Sequence, residues 1–150
     1  MLSLQEISDR LEIQDLIHRY AQIIDAKDFD RLRFDVFCED ALIDYSAFGG
    51  PKGGLDQAID FLHKAMKIFP HTQHMNANAQ IVVESEEDRG TGRIMCFNSQ
   101  ELKLSEHDEQ VFFCGLWYLD EYRRTPKGWR IAKRVEEKSF VFNAPDSLKL

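Results

Sequence analysis

Two residues carry most of the chemistry open to this chain: Asp25 and His74. On a helix, Asp25 lies four positions after Ala21 and eight after Ile17, so it continues an apolar stripe. A carboxylate aimed at a core must be paired or must titrate abnormally. The alternative is a helix-terminal Asp that turns outward and caps the next helix. On a strand, His74 shares a face with Thr72, Asn76 and Asn78, while Met75, Ala77, Ala79 and Ile81 point the other way. That polar face is either solvated or lines a cavity. Imidazole takes and returns a proton near pH 7, which makes His74 the acid–base candidate. His71 and His74 would face opposite sides of a strand, and no third ligand with zinc-like spacing follows, so no metal is expected. Tyr20, Tyr45, Phe48 and Tyr118 are aromatic candidates for a pocket wall, with plain core as the alternative. Gly49–Gly54 lacks the Gly-Lys-Ser/Thr ending of a phosphate loop, and no Gly-x-Ser-x-Gly elbow supports serine hydrolysis.

The elements that must position these residues follow from hydrophobic period. Ser3 to Glu6 reads as a capping box, and Ile7, Leu11, Ile17, Ala21 and Ile24 carry a first helix to about Asp25. Asp28 reads as the cap of a short second helix holding Phe29, Leu32, Phe34, Val36 and Phe37. Ala41 to Phe48 reads as a short strand, and Leu55 to Phe69 as a third helix ended by Pro70. The period then shifts to two. Thr72–Glu84, Thr91–Leu104, Gln110–Arg123 and Trp129–Phe142 are strand candidates joined by short turns, hence antiparallel. Helices followed by such a meander give an α+β fold with three helices on one face of a curved sheet. Residues 1–142 form one domain, and 143–150 a tail whose neighbours Phe140 and Phe142 could fold over a pocket mouth.

Composition narrows the partners. One hundred and fifty residues with 43% apolar content can build one core without staples. A net charge of −7 argues against nucleic acid or an anionic membrane surface as main partner. The first residues lack the basic start of a signal peptide, and Cys38, Cys96 and Cys114 sit apart among apolar neighbours. Reduced, buried thiols in a cytoplasmic protein are expected.

At Ile24–Arg33, Ile43–Phe48 and Thr72–His74 the chain resembles scytalone dehydratase, and more broadly the SnoaL-like branch of the nuclear transport factor two superfamily. The resemblance implies a cone-shaped fold, with three N-terminal helices on a bent sheet around a deep cavity. It implies removal of water from a cyclic hydroxyketone without metal or organic cofactor. Position by position it matches Asp25 to the family's carboxylate, His74 to its first histidine and Tyr45 to one of two tyrosines. Tyr20 and Phe48 match aromatic pocket positions. Ile24 stands where the second tyrosine falls, and Asn98 or Ser99 where a second histidine falls.

The expected function is a cofactor-independent lyase acting on a small cyclic hydroxy-carbonyl compound. His74 would move the proton, Asp25 would orient it, and Tyr45 with Asn98 or Ser99 would hydrogen-bond the substrate oxygen. The alternatives are an isomerase or cyclase, or a protein that binds a small hydrophobic molecule without turning it over. A sheet of this kind often shields its outer face by self-association, so a homodimer or homotrimer is expected.

Overall fold

In a computed structural model, residues 1–148 are described. Helix α1, Leu4–Asp25, begins at the expected capping box. The Glu6 N–H donates to Ser3 Oγ at 3.1 Å, and the Ser3 N–H donates to the Glu6 carboxylate at 2.7 Å. Ile13, Leu16, Ile17, Tyr20, Ile23 and Ile24 form its buried stripe.

The second helix is shorter than its spacing predicts. A single 3-10 turn over Phe29–Arg31 runs into α2, Leu32–Asp35, and Asp28 makes no side-chain cap. Val36 leaves the helix and Phe37 opens strand β1, Phe37–Asp44, four residues before the expected start. Two buried aromatics at Phe29 and Phe37 suit either period, and sheet pairing decides for Phe37. Tyr45 to Phe48 are not strand: Ser46–Phe48 form a 3-10 turn. The glycine-rich stretch is not only a breaker, because β2, Lys52–Gly54, pairs antiparallel with β1. Helix α3, Leu55–Ala65, follows at once.

Four long strands complete the chain: β3, Thr72–Glu84; β4, Arg89–Ser105; β5, Asp108–Thr125; and β6, Gly128–Phe142. The sheet order is β2-β1-β6-β5-β4-β3, with β1–β6 the parallel pair and the other pairings antiparallel. This is the α+β class expected, a curved, mainly antiparallel sheet with helices against it.

Alternation splits the sheet into two chemically different faces. His74, Asn98 and Cys114 share one row on the helix side, followed by Asn76, Cys96 and Leu116, then by Ile94, Tyr118 and Glu136. The opposite face carries Met75, Phe97 and Phe140 in one row and Phe113 and Phe142 in the next. There Phe97 stacks on Phe113, and Phe113 on Phe142, at ring separations of 5.2 and 6.4 Å. Phe140 and Phe142 therefore lie on the outer face and cover no mouth near His74. Gly115 leaves room for this arrangement, since a Cβ there would meet the Phe140 ring at 2.3 Å. Of the segment expected as a tail, Ala144 and Leu148 pack against the core, and residues 149–150 lie outside the described residues.

Two buried acids tie the elements together. Asp9 on α1 accepts from Gln5, Ser85, Arg124 and the Trp129 indole. Asp120 on β5 faces Arg134 on β6 in register, and both side chains are fully buried. Arg134 donates to it through Nε at 2.8 Å and Nη2 at 2.6 Å, and the Tyr122 hydroxyl donates at 2.9 Å. Cys38, Cys96 and Cys114 are buried free thiols.

Candidate active site

Asp25 is the last residue of α1, and α1 packs along β3, the edge strand. An edge strand leaves outward N–H groups without a strand partner. Asp25 takes one of them: the His74 N–H donates to Asp25 Oδ2 at 2.9 Å. The Thr72 hydroxyl donates to Oδ1 at 3.0 Å, and His74 Nδ1 lies 2.6 Å from the same oxygen. The carboxylate is thus held by three donors from one strand, and the cap reading gives way to a pair. Burial pushes the Asp25 carboxyl up, but the His74 and Thr72 hydrogen bonds outweigh it and hold the carboxyl below its ordinary range.

The His74 side chain is 7% exposed and that of Asp25 27%. With Nδ1–H given to Asp25, Nε2 keeps its lone pair and accepts from Asn98 Nδ2 at 3.0 Å. Asn98 Oδ1 is buried with no partner among the described residues. Asn76, on the same face, donates to the Ile17 carbonyl at 3.2 Å, and its Oδ1 is likewise unpartnered. Both amide oxygens beside the buried imidazole are left to be satisfied by a group from outside the described residues.

The other expected site residues divide. Asn98 joins the Asp25–His74 pair. Ser99 does not, because alternation turns it to the Phe113 face; it borders a cleft of about 390 Å³ that reaches Asp25 from outside. Tyr45 bonds Tyr20, hydroxyl to hydroxyl at 2.9 Å, rather than His74. Tyr118 packs edge-on to Tyr20 at 5.6 Å. Burial raises all three phenols, Tyr20 to about 12, so they are neutral donors. Phe48 is half-buried against the core, with the Lys138 ammonium 5.7 Å from its ring centre. His71 turns from this cluster to Glu101, at 2.6 Å. A larger cleft, about 990 Å³, lies elsewhere, between Arg33, Leu55 and Arg130.

Sequence reading missed Arg134 and Glu136. Arg134 lies 4.1 Å from the ring centres of both Tyr20 and Tyr118. Charges two apart on a terminal strand look like a solvated face. The signal that finds them is register: Asp120 opposite Arg134 and Tyr118 opposite Glu136 put charge among aromatics.

Comparison with known proteins agrees with this fold. The SnoaL-like domain model matches residues 5–135, and the chain belongs to that family. The uncharacterized protein Rv2910c of Mycobacterium tuberculosis is 45% identical over 140 residues, covering 93% of this chain and 92% of that protein. A solved structure named "Putative Scytalone Dehydratase", from Novosphingobium aromaticivorans, superposes with a TM-score of 0.79 at 18% identity, covering 94% of this chain and 91% of that one. A hexachlorocyclohexane dehydrochlorinase, LinA Type2, does so with a TM-score of 0.79 at 20% identity, covering 95% and 93%. At these identities the two structures speak for the fold. No helix among the described residues is long and apolar enough to cross a membrane.

Proposed function

We propose that this protein is a cofactor-independent acid–base enzyme, a lyase that removes water from a small cyclic hydroxy-carbonyl compound. The observation that carries the reading is the 2.6 Å contact between Asp25 and His74 Nδ1, which leaves Nε2 as the basic nitrogen. Asp25 fixes the tautomer and supports the imidazolium that forms, the orienting part of a catalytic triad without its nucleophile. His74 Nε2 takes a proton from the carbon next to the substrate carbonyl. Asn98 yields its hydrogen bond to the ring as substrate enters, and its carboxamide can turn to offer Oδ1 to the imidazolium. Positioned acid–base groups of this kind contribute ~10²–10⁴-fold in rate. Tyr45, bonded to Tyr20, is the phenol assigned to the oxygen where enolate charge develops. Two structural neighbours carry names of elimination enzymes, one a dehydratase and one a dehydrochlorinase, which supports the reaction type. Isomerisation or cyclisation would use the same proton abstraction with a different fate for the enolate.

A second reading is a protein that binds a small hydrophobic molecule without turning it over. It is favoured by the Asn98 bond that occupies Nε2. Deuterium exchange at the α-carbons of cyclohexanone in D₂O separates the two. The enzyme reading predicts that the protein speeds exchange and that His74→Ala loses at least 10²-fold of it with its fold intact. Equal exchange by both proteins would leave the binding reading.

A further inference from the structure

Glu136 has no expected role, and no partner among the described residues. It projects from β6 on the side of Arg134, while Glu137 turns to the outer face and pairs with Arg93 at 3.0 Å. Its neighbour across the ladder is Tyr118. The Tyr118 and Tyr20 rings flank the Arg134 guanidinium, and Tyr20 bonds Tyr45. Glu136 makes no hydrogen bond or ion pair among the described residues, yet it is only half-buried. Arg134 spends Nε and Nη2 on Asp120, and its Nη1 is buried without a partner. Between this end and the Asp25–His74 pair lies the buried Cys96 thiol, within reach of the charges of both Asp25 and Glu136. Arg134 Nη1, Asn98 Oδ1 and Asn76 Oδ1 are all unpartnered among the described residues, and their side chains share one face of the sheet. Unpartnered buried polar atoms of this kind ask for a ligand that brings polar groups of its own.

We propose that Glu136 is the second proton carrier of the site, giving its proton to the leaving hydroxyl of a cyclic β-hydroxy ketone whose α-carbon is held at His74. This rests on the acid–base reading above. His74 Nε2 takes the α-proton, and the C–H electron pair becomes the new C=C bond. The C–O bond breaks, and the hydroxyl departs with the Glu136 proton as water. The Glu136 carboxylate left behind is stabilised by the charge of Arg134. The imidazolium proton then returns to Glu136 through water, restoring both groups. The proton is available at neutral pH because burial pushes the Glu136 carboxyl up to about 8, Arg134 pulling it down and Asp44 adding to the rise. Ionised Glu136 would in turn raise the phenols of Tyr20 on α1, Tyr45 after β1 and Tyr118 on β5 and the thiols of Cys96 on β4 and Cys114 on β5. The Lys138 ammonium faces Cys114 from the same strand as Glu136.

The test compares two reactions of the full chain: dehydration of 3-hydroxycyclohexanone to the absorbing enone, and α-deuterium exchange of cyclohexanone. Exchange needs His74, and dehydration needs Glu136 as well. Glu136→Gln should lower dehydration about 10²-fold more than it lowers exchange. Glu136→Asp, which keeps the proton on a shorter stem, should recover part of that loss. Carbon-13 NMR of labelled glutamate, assigned by the Gln variant, should show the Glu136 carboxyl protonated at pH 6. Equal losses in the two reactions, or a carboxylate at pH 6, would overturn the proposal while leaving the His74 reading intact. Failure of the unmodified protein to speed exchange over His74→Ala would overturn both.

Discussion

Asp25 shows how one side chain can tie a helix end to a strand and hold an imidazole at once. Through two oxygens it takes an edge-strand N–H, a threonine hydroxyl and an imidazole nitrogen. Its depressed carboxyl has a consequence for stability. A group whose folded pKa is lowered contributes stability above its unfolded value, and that stability is lost as pH falls through the folded pKa. Asp9 follows the same sign: burial pushes it up, but donors from Ser85, Arg124, Trp129 and Gln5 bring it down to about 2. Unfolding should therefore steepen below about pH 4. Asp9→Asn should cost about 2 kcal/mol at pH 7 and much less at pH 2, read from urea midpoints at the two pH values. Asp25 and His74 were legible in the sequence because one puts a carboxylate on an apolar helix stripe and the other puts an imidazole on a polar strand face, while their pairing followed only from the family resemblance. Ser99 was misread because a one-residue step on a strand changes face, and only the His74–Asn98 register settles which neighbour counts. Glu136 and Arg134 were illegible for a related reason. Charge on a strand means solvent unless the partner strand is known.

At the scale of elements, long periodic segments declare themselves. Helix α1 ends at its expected residue, and the four long strands fall within three residues of their expected bounds. The stretch between them is harder. Over Phe29–Phe48 apolar residues are dense, so helical and alternating periods both fit, and pairing with β6 draws Phe37 into a strand. The parallel β1–β6 contact is a non-local event that no local pattern announces. Arg134 belongs to that contact, since it sits opposite Ile43 of β1 as well as Asp120 of β5. Arg134→Met would strand a buried Asp120 carboxylate. Removing one partner of a buried pair typically costs ~3–5 kcal/mol. Chemical denaturation should show that loss, and Arg134→Met with Asp120→Leu should recover much of it. A loss within 1 kcal/mol for the single variant would mean that this pair does not anchor the sheet.

At the scale of the molecule, the two sheet faces divide the labour. The face toward the helices carries His74, Arg134 and Glu136, while the outer face gathers Met75, Phe97, Phe140 and Phe142. Those four are 37–63% exposed in a chain that carries a net charge of −7. A contiguous apolar patch on an otherwise charged surface is a site of association. The chain should run as a homodimer or homotrimer through this face, and Phe140→Asp should shift it to monomer in light scattering. A wild-type mass of 17.5 kDa would contradict this.

The state of the His74 ring tests the central claim most directly. Nitrogen-15 NMR of the labelled protein at pH 8 distinguishes a protonated ring nitrogen from a bare one. The Asp25 contact predicts a proton on Nδ1 and a lone pair on Nε2, with the Nδ1 proton signal moving when Asp25 is replaced by Asn. A ring carrying its proton on Nε2, unchanged in the Asp25→Asn protein, would contradict the account.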